Sequence, residues 1–338
     1  MATVRDVAKV AGVSVTTVSR VVRGERYVRP EVREAVQAVM ADLDYRPSTL
    51  ARQFREQRTQ LVGFVVPDIS EPFYAGILRG VEKALRPQGF IVAIHDTDER
   101  VSLEAGAIGS LLDVRAAGLI VASSGPWPRA VRERFERERV PMVAIDNVLD
   151  GLDVDAVYED NEVGARVLTR HLAEHGHVRI GFVGGILTES SGAERLAGYR
   201  AALAEAGLPA DERLVVTGDW RYQGARLYTL RIMHEPDPPT AIVAANYVVA
   251  LGVMKAARSV GLRIPDDLAL ASFDDFEVAE LLDPPLTGLR RDLDAMGAVA
   301  ASLLVDQLYP LGEHKPRQVR LPHEFVARRS CGCPGATA

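Results

Sequence analysis

The sequence predicts an α/β protein in which an N-terminal helix-turn-helix headpiece precedes two doubly wound parallel-sheet lobes. Val4 to Val22, VRDVAKVAGVSVTTVSRVV, carries apolar residues at helical spacing on both sides of a glycine. From Leu61 onward, short Val, Ile, Leu and Ala runs alternate with polar or helical segments, the rhythm of parallel βαβ units. Charge separates the two parts. The chain carries −6 overall, yet residues 1–60 hold eleven Lys and Arg against seven acids, so a +4 head precedes a −10 body. Such a head attracts phosphate while the body repels it, which orients the approach to a nucleic acid.

In the head, Val4, Val7, Ala8 and Ala11 form one helical set, and Val13, Val18, Val21 and Val22 a second. Gly12 sits where the turn between crossing helices needs a residue without a Cβ. Thr3 or Val4 opens the first helix and Ser14 caps the second. Val15, Thr16, Thr17, Ser19 and Arg20 are then expected to point outward, where short polar side chains and one arginine can meet base edges in a major groove. A third amphipathic helix, Pro30 to Leu43, has Pro30 at its start and Val32, Ala35, Val36 and Val39 along one face. Tyr45 to Thr59, YRPSTLARQFREQRT, has four arginines and too few apolar residues for a core. A short helix from Pro47 or Ser48 would carry Leu50, Ala51 and Phe54 on one side, and would need a partner to be stable.

Eight strands are read in the body: 61–67, 90–96, 118–123, 141–147, 179–185, 213–219, 241–246 and 268–274. Their continuous apolar content means that both sheet faces are covered. The strands divide into two sets of four, and a ligand would lie between the lobes at the strands' carboxyl ends. Those ends hold Asp68, Asp96, Ser123, Ser124, Asp146, Asn147, Asp219, Trp220, Asn246, Asp274 and Asp275. About half of these are expected only to cap helices or turns. The others suit a polyhydroxylated ligand: carboxylates accept hydroxyl protons while Phe73, Tyr74 or Trp220 covers an apolar ring face.

At 338 residues the chain suits two or three domains, and no run of eighteen apolar residues is present to span a membrane. The start, MATVRDVAK, lacks an apolar block, so cytoplasmic, nucleoid-associated residence is expected. An enzyme is a rival reading of the lobes, but GxxxxGK[ST], GxGxxG after a strand and GxSxG are all missing. An exported binding protein without a DNA role is another rival; the attached head argues against it. Cys331 and Cys333, the only cysteines, are read as free thiols in a frayed tail. His171, His175 and His177 include an i, i+4 pair that a metal could use, but the spacing also fits a helix end, and no third ligand is evident. No metal or other cofactor is therefore expected. The tail after Arg329 has no heptad repeat for a coiled coil.

The segments DVAKVAGVSVTTVSRVV, YVRPEVREAV, YRPSTLARQF, EPFYAGILRGVE, RLAGYRAAL, GLRIPDDLALASFDD and RRSCGCP occur in that order. In them the chain resembles the lactose-repressor (LacI/GalR) family of transcription regulators over essentially its full length. The resemblance implies lobes like those of periplasmic binding proteins, and a homodimer on a pseudo-palindromic operator controlled by a small molecule, a sugar or sugar derivative in preference to a purine. It places the second helix in the major groove and paired linker helices in the minor groove. The implied DNA contacts are Thr3, Ser14, Val15, Thr16, Thr17, Arg20, Tyr45, Leu50, Ala51, Phe54 and Arg55, with Phe54 where the family commonly wedges a leucine between base pairs. The implied ligand contacts are Phe73, Tyr74, Asp146, Ser191, Arg195, Trp220, Asn246 and Asp274. Two departures disfavour a purine. Tyr247 follows Asn246 where many relatives have an acid, and Glu189 stands where purine-sensing relatives carry arginine. The expected parts are 1–46 headpiece, 47–60 linker, 61–158 with 288–318 as the first lobe, and 159–287 with 319–333 as the second.

Overall fold

The computed structural model describes residues 2–22, 28–43, 59–149, 151–310 and 312–333. The chain forms two compact units, Met1–Thr59 and Gln60–Ala338.

In the first unit, helices α1 (Val4–Val10), α2 (Val15–Val22) and α3 (Pro30–Asp42) enclose Val7, Ala8, Val18, Val21 and Val36. Thr3 starts α1 with a capping box: its backbone N–H donates to Asp6 Oδ2 at 2.8 Å, and its hydroxyl oxygen accepts from the Asp6 N–H. Gly12 makes the turn at φ +67°, and Ser14 Oγ accepts the Thr17 N–H at 3.0 Å to open α2. The buried face of α3 is shifted from expectation. Val32 and Val39 pack beside Val36 as expected, but Ala35 is exposed, and Met40 and Leu43 join the face in its place. Ala35 lies about 100° around the helix from Val36, off the stripe that faces the other two helices. Tyr45, Leu50, Ala51, Phe54 and Arg55, the expected linker contacts, lie outside the described residues.

The second unit holds two six-stranded sheets. The first contains β1 (Leu61–Val66), β2 (Ile91–Asp96), β3 (Gly118–Val121), β4 (Met142–Ile145), β5 (Asp155–Glu159) and β11 (Gln318–Leu321), ordered β11-β5-β4-β3-β1-β2. All its pairings are parallel. The second contains β6 (Ile180–Gly184), β7 (Val215–Thr217), β8 (Ala241–Ala244), β9 (Ala269–Asp275), β10 (Thr287–Arg291) and β12 (His323–Val326), ordered β12-β10-β9-β8-β6-β7. Among the described residues, only β12 runs antiparallel to its neighbour, β10. Helices α4 (Pro72–Leu85), α5 (Val101–Asp113), α6 (Arg129–Glu138) and α11 (Leu293–Leu308) belong to the first lobe. Helices α7 (Asn161–Glu174), α8 (Ser190–Glu205), α9 (Tyr222–Met233) and α10 (Tyr247–Ser259) belong to the second. Each sheet has an apolar core on both faces, as its nearly continuous apolar strands require.

Each sheet reverses its winding beside its first strand, between β1 and β3 and again between β6 and β8. Crevices at such switch points, at the strands' carboxyl ends, are where ligands bind in doubly wound sheets. The chain passes between lobes near Asp160, Asp292 and Pro322. The last two crossings correct the expected breaks at 288 and 319. Gly288 pairs with Ser272 and with Val326 in the second sheet, and Val319 pairs with Val157 in the first. TGLRR, between β9 and β12, and QVRL, at the edge of the first sheet, both carry charged residues, so backbone pairing rather than an apolar run makes them strands.

Candidate functional site

On α2, Val15, Thr16 and Arg20 are exposed, with Thr16 and Arg20 one helical turn apart. Thr17, expected to point outward, is half-buried, and its hydroxyl lies 2.9 Å from that of Ser14. Thr3 is likewise engaged, donating its hydroxyl to Asp6 Oδ2 at 2.7 Å. The caps thus occupy Thr3, Ser14 and Thr17, and the outward surface of α2 is carried by Val15, Thr16 and Arg20.

Between the two lobes lies a cavity of about 380 Å³. All eight expected ligand residues, Phe73, Tyr74, Asp146, Ser191, Arg195, Trp220, Asn246 and Asp274, line it. The first lobe supplies Phe73 and Tyr74 from the first turn of α4, and Asp146 from the end of β4. The second supplies Ser191 and Arg195 from the start of α8, Trp220 beyond β7, Asn246 at the N-cap of α10, and Asp274 in β9. Trp220 lies flat on Gly185: a Cβ there would fall 2.1 Å from the indole ring, so only glycine admits this placement.

Hydrogen bonds and ion pairs fix these groups. Arg195 donates Nε to Asn161 Oδ1 at 2.8 Å and Nη1 to the Ala245 carbonyl at 2.7 Å, while Nη2 faces Asp146 across the cleft at 3.9 Å. Its guanidinium stacks on Phe273 at 3.9 Å and reaches Trp220 at 5.5 Å. Trp220 Nε1 donates to Glu189 at 2.6 Å. Asp274 accepts the Tyr247 N–H at 2.8 Å, and its other oxygen pairs with Arg291. Arg291 also reaches Glu159 at 2.6 Å and stacks on Phe73 at 4.1 Å, so one buried guanidinium ties the first lobe to the second. Asn246 both caps α10, accepting the Val249 N–H at 2.7 Å, and donates to Glu71 at 3.0 Å. At the mouth, Arg221 of the second lobe pairs with Asp98 at 2.7 Å and Glu99 at 3.2 Å of the first.

Burial governs the charge state of this wall. It pushes Glu71 up to about 8, aided by the nearby negative charges of Asp274 and Asp146. Burial likewise pushes Glu189 up to about 8 against the opposing hydrogen bond from Trp220. Asp146 is also raised by burial, although Arg195 and Arg291 pull the other way.

Several strand-end residues serve the fold instead. Asp68 accepts from Ser70 N at 2.8 Å, Asp96 from Ile69 N at 2.9 Å, and Asp219 from Arg221 N at 3.2 Å. Asp275 is buried and paired with Arg328 at 2.6 Å. Glu71, Glu159, Arg221 and Arg291 were absent from the expected set. Glu71 begins the quoted EPFY segment and was legible there. Arg291 and Glu159 end β10 and β5, strands with no clear apolar signature, so their convergence is visible only in three dimensions.

The tail corrects two expectations. Cys331 is fully buried in the core of the second lobe and Cys333 packs against that core, so the chain is packed down as far as Cys333. A third potential ligand does stand near the histidines: Cys333 Sγ lies 2.9 Å from His171 Nε2. His177 is not part of the group, its Nδ1 lying 3.0 Å from Thr240 Oγ1.

Among the described residues, no helix is long and apolar enough to cross a membrane. Residues 3–48 match the model for bacterial regulatory proteins of the lacI family, and residues 169–331 match a periplasmic binding protein-like domain. The HTH-type transcriptional repressor PurR of Aliivibrio salmonicida is 30% identical over 330 residues, covering 98% of this chain and 99% of the relative. The ribose operon repressor of Escherichia coli K12 is 31% identical over 310 residues, covering 91% and 93%. Among solved structures, the regulator CelR in complex with cellobiose is 32% identical with TM-score 0.74, covering 98% of this chain and 100% of that one. The lac repressor dimer bound to operator and an anti-inducer is 28% identical with TM-score 0.84, covering 98% and 99%. With a helix-turn-helix head, two doubly wound lobes around a polar cleft and full-length similarity to these repressors, the chain belongs to the LacI family of bacterial transcriptional regulators.

Proposed function

We propose that this regulator binds a pseudo-palindromic operator as a homodimer, and that a neutral carbohydrate in the interlobe cleft sets its DNA affinity. The observation that carries the ligand class is the charge balance of the cavity wall. Asp68, Glu99, Asp146 and Asp274, together with Glu71 and Glu189 that burial holds protonated below about pH 8, face only Arg195, Arg221 and Arg291. Arg291 is committed to Glu159 and Asp274, and Arg221 to Asp98 and Glu99. Only Arg195 keeps an open Nη2, 3.9 Å from Asp146, so a phosphate or carboxylate would meet a single cation on a wall of acids, whereas sugar hydroxyls find acceptors on Asp146 and Glu189 and a ring face on Trp220. The purine reading is disfavoured by the same wall, since Glu189 is an acid bonded to Trp220.

Thr16 and Arg20 are the base-reading candidates, with Arg20 suited to a bidentate guanine contact. The homodimer is carried over from the solved lac repressor dimer, to which the chain is 28% identical over 98% of its length. We read the cleft as a binding site, in line with the transcriptional repressors that the chain resembles over its length. Effector and operator affinities are then reciprocally coupled through lobe closure.

The test is operator binding by the full chain, followed by fluorescence anisotropy, against neutral mono- and disaccharides, their phosphates, and purine bases. A neutral sugar should change operator affinity and raise the unfolding temperature; preference for a phosphorylated sugar or a purine overturns the ligand assignment. Trp220→Ala should abolish the sugar response without unfolding the chain. Arg20→Ala should weaken operator binding by roughly 1–3 kcal/mol and relax preference at one base per half-site. A uniform loss on all DNA would show a phosphate contact only.

A further inference from the structure

The structure assigns a metal-binding role to a cluster outside the cleft: we propose that His171, His175 and Cys333 hold one zinc-class divalent cation, the fourth position falling to water or, after a side-chain shift, to the Cys331 sulfur beside Cys333. His171 lies in the last turn of α7 and His175 is its C-cap, with ring centroids 4.4 Å apart. The i, i+4 spacing puts both imidazoles on one side of the helix end. The chain returns to this point 162 residues later, where Cys333 Sγ meets His171 Nε2 at 2.9 Å. One ligand atom from each of His171, His175 and Cys333 lies within 4.8 Å of the others. Ligands about 2.0–2.3 Å from a tetrahedral zinc stand about 3.3–3.8 Å from one another, so small side-chain rotations close the shell.

The surroundings support the same assignment. His175 Nδ1 lies 2.7 Å from the His171 carbonyl, the second-shell hydrogen bond that fixes a ligating imidazole and presents its Nε2. Gly332, at φ +73°, follows a short turn and brings the two sulfurs within 2.6 Å, both as free cysteines. Phe325 packs on His171 with ring centroids 4.6 Å apart, walling one side of the cluster. Two imidazoles with one or two thiolates are the donor set of zinc, softer than calcium or magnesium sites require. Binding would replace the direct sulfur–imidazole contact with two metal bonds, and the Cys333 thiol proton would leave to water. The ion would join the chain's returning tail to α7, fastening the segment that follows the third crossing to the lobe that carries Arg195 and Trp220.

Full-length protein, stripped with chelator and kept reduced, should bind one zinc per chain. Cobalt(II) in its place should give a thiolate-to-metal charge-transfer absorption, and zinc should protect Cys333 from a thiol reagent. Cys333→Ser should abolish the charge-transfer band unless Cys331 replaces it, and the Cys331→Ser/Cys333→Ser pair should abolish it outright. His175→Gln, a change at an exposed residue, should weaken zinc binding at least tenfold while far-UV circular dichroism stays unchanged. No charge-transfer band in the wild type, substoichiometric zinc, or a folded His175→Gln protein with undiminished affinity would each overturn the assignment. Sugar binding in the cleft is a separate readout, so neither proposal depends on the other.

Discussion

Replacing Glu189 with glutamine keeps the shape of the side chain and an oxygen for the Trp220 N–H, but removes the ionisation. Glu189 is 6% exposed and is pushed from 4.5 up to about 8 in the folded chain. A carboxyl group raised in this way favours the folded state while it stays protonated. Its contribution is whole below about pH 4.5, where folded and unfolded chains are both protonated, and is lost as pH rises through about 8. At 1.36 kcal/mol per pH unit, the ceiling on that loss is roughly 5 kcal/mol. The cavity opens to solvent and the carboxylate can still accept from Trp220, which raises the effective dielectric and leaves roughly 1–3 kcal/mol as the expected difference. The Glu189→Gln chain should therefore match the wild type near pH 5 and exceed it near pH 8.5 by this amount, in urea unfolding followed by circular dichroism. Part of the wild-type slope persists in the variant, because Glu71 is raised over the same window. Parallel stability curves for the two proteins across that range would refute the claim that Glu189 is held protonated by burial.

Further outcomes follow from the ion pairs and caps. Arg291→Met leaves Glu159 and Asp274 buried without their cation, and should destabilise the chain by about 3–5 kcal/mol in chemical denaturation; a loss below about 1 kcal/mol would mean the two acids find other partners. Arg221→Ala breaks contacts at the cleft mouth to the half-exposed Asp98 and the more buried Glu99; because the arginine itself is half-exposed, stability should change by no more than about 1 kcal/mol. Effector dissociation, measured by stopped flow, should nonetheless become faster, since this pair spans the two lobes; an unchanged rate separates it from closure. Ser14→Ala removes the oxygen that accepts the Thr17 N–H, and should destabilise α2 by about 1 kcal/mol. Faster amide exchange at Thr17 and Val18 in the full chain is the readout.

The head was legible because its determinants are local. Capping by Thr3 and Ser14, the turn at Gly12 and the burial of Val7, Ala8, Val18 and Val21 all follow from residues within a few positions of one another. The eight apolar strands were legible for a similar reason, a buried strand needing little beyond its own composition. The ligand wall was anticipated partly from the strand ends and partly from family resemblance. Ala35 shows the limit even of local reading: periodicity alone does not say which flank of a stripe meets its neighbours.

What the sequence by itself determined is the order of parts, the apolar strands and the caps and turn of the first two helices, because caps, turns and hydrophobic periods act over a few residues. Tertiary structure alone decided which distant groups meet. TGLRR became a strand by pairing with β9 and β12, and QVRL by pairing with β5. Arg291 then became the cation shared by Glu159 and Asp274, and a tail read as loose became the partner of His171. Each of these depends on contacts between segments far apart in the chain, and the energy of such contacts is set by the distance that the assembled sheets impose.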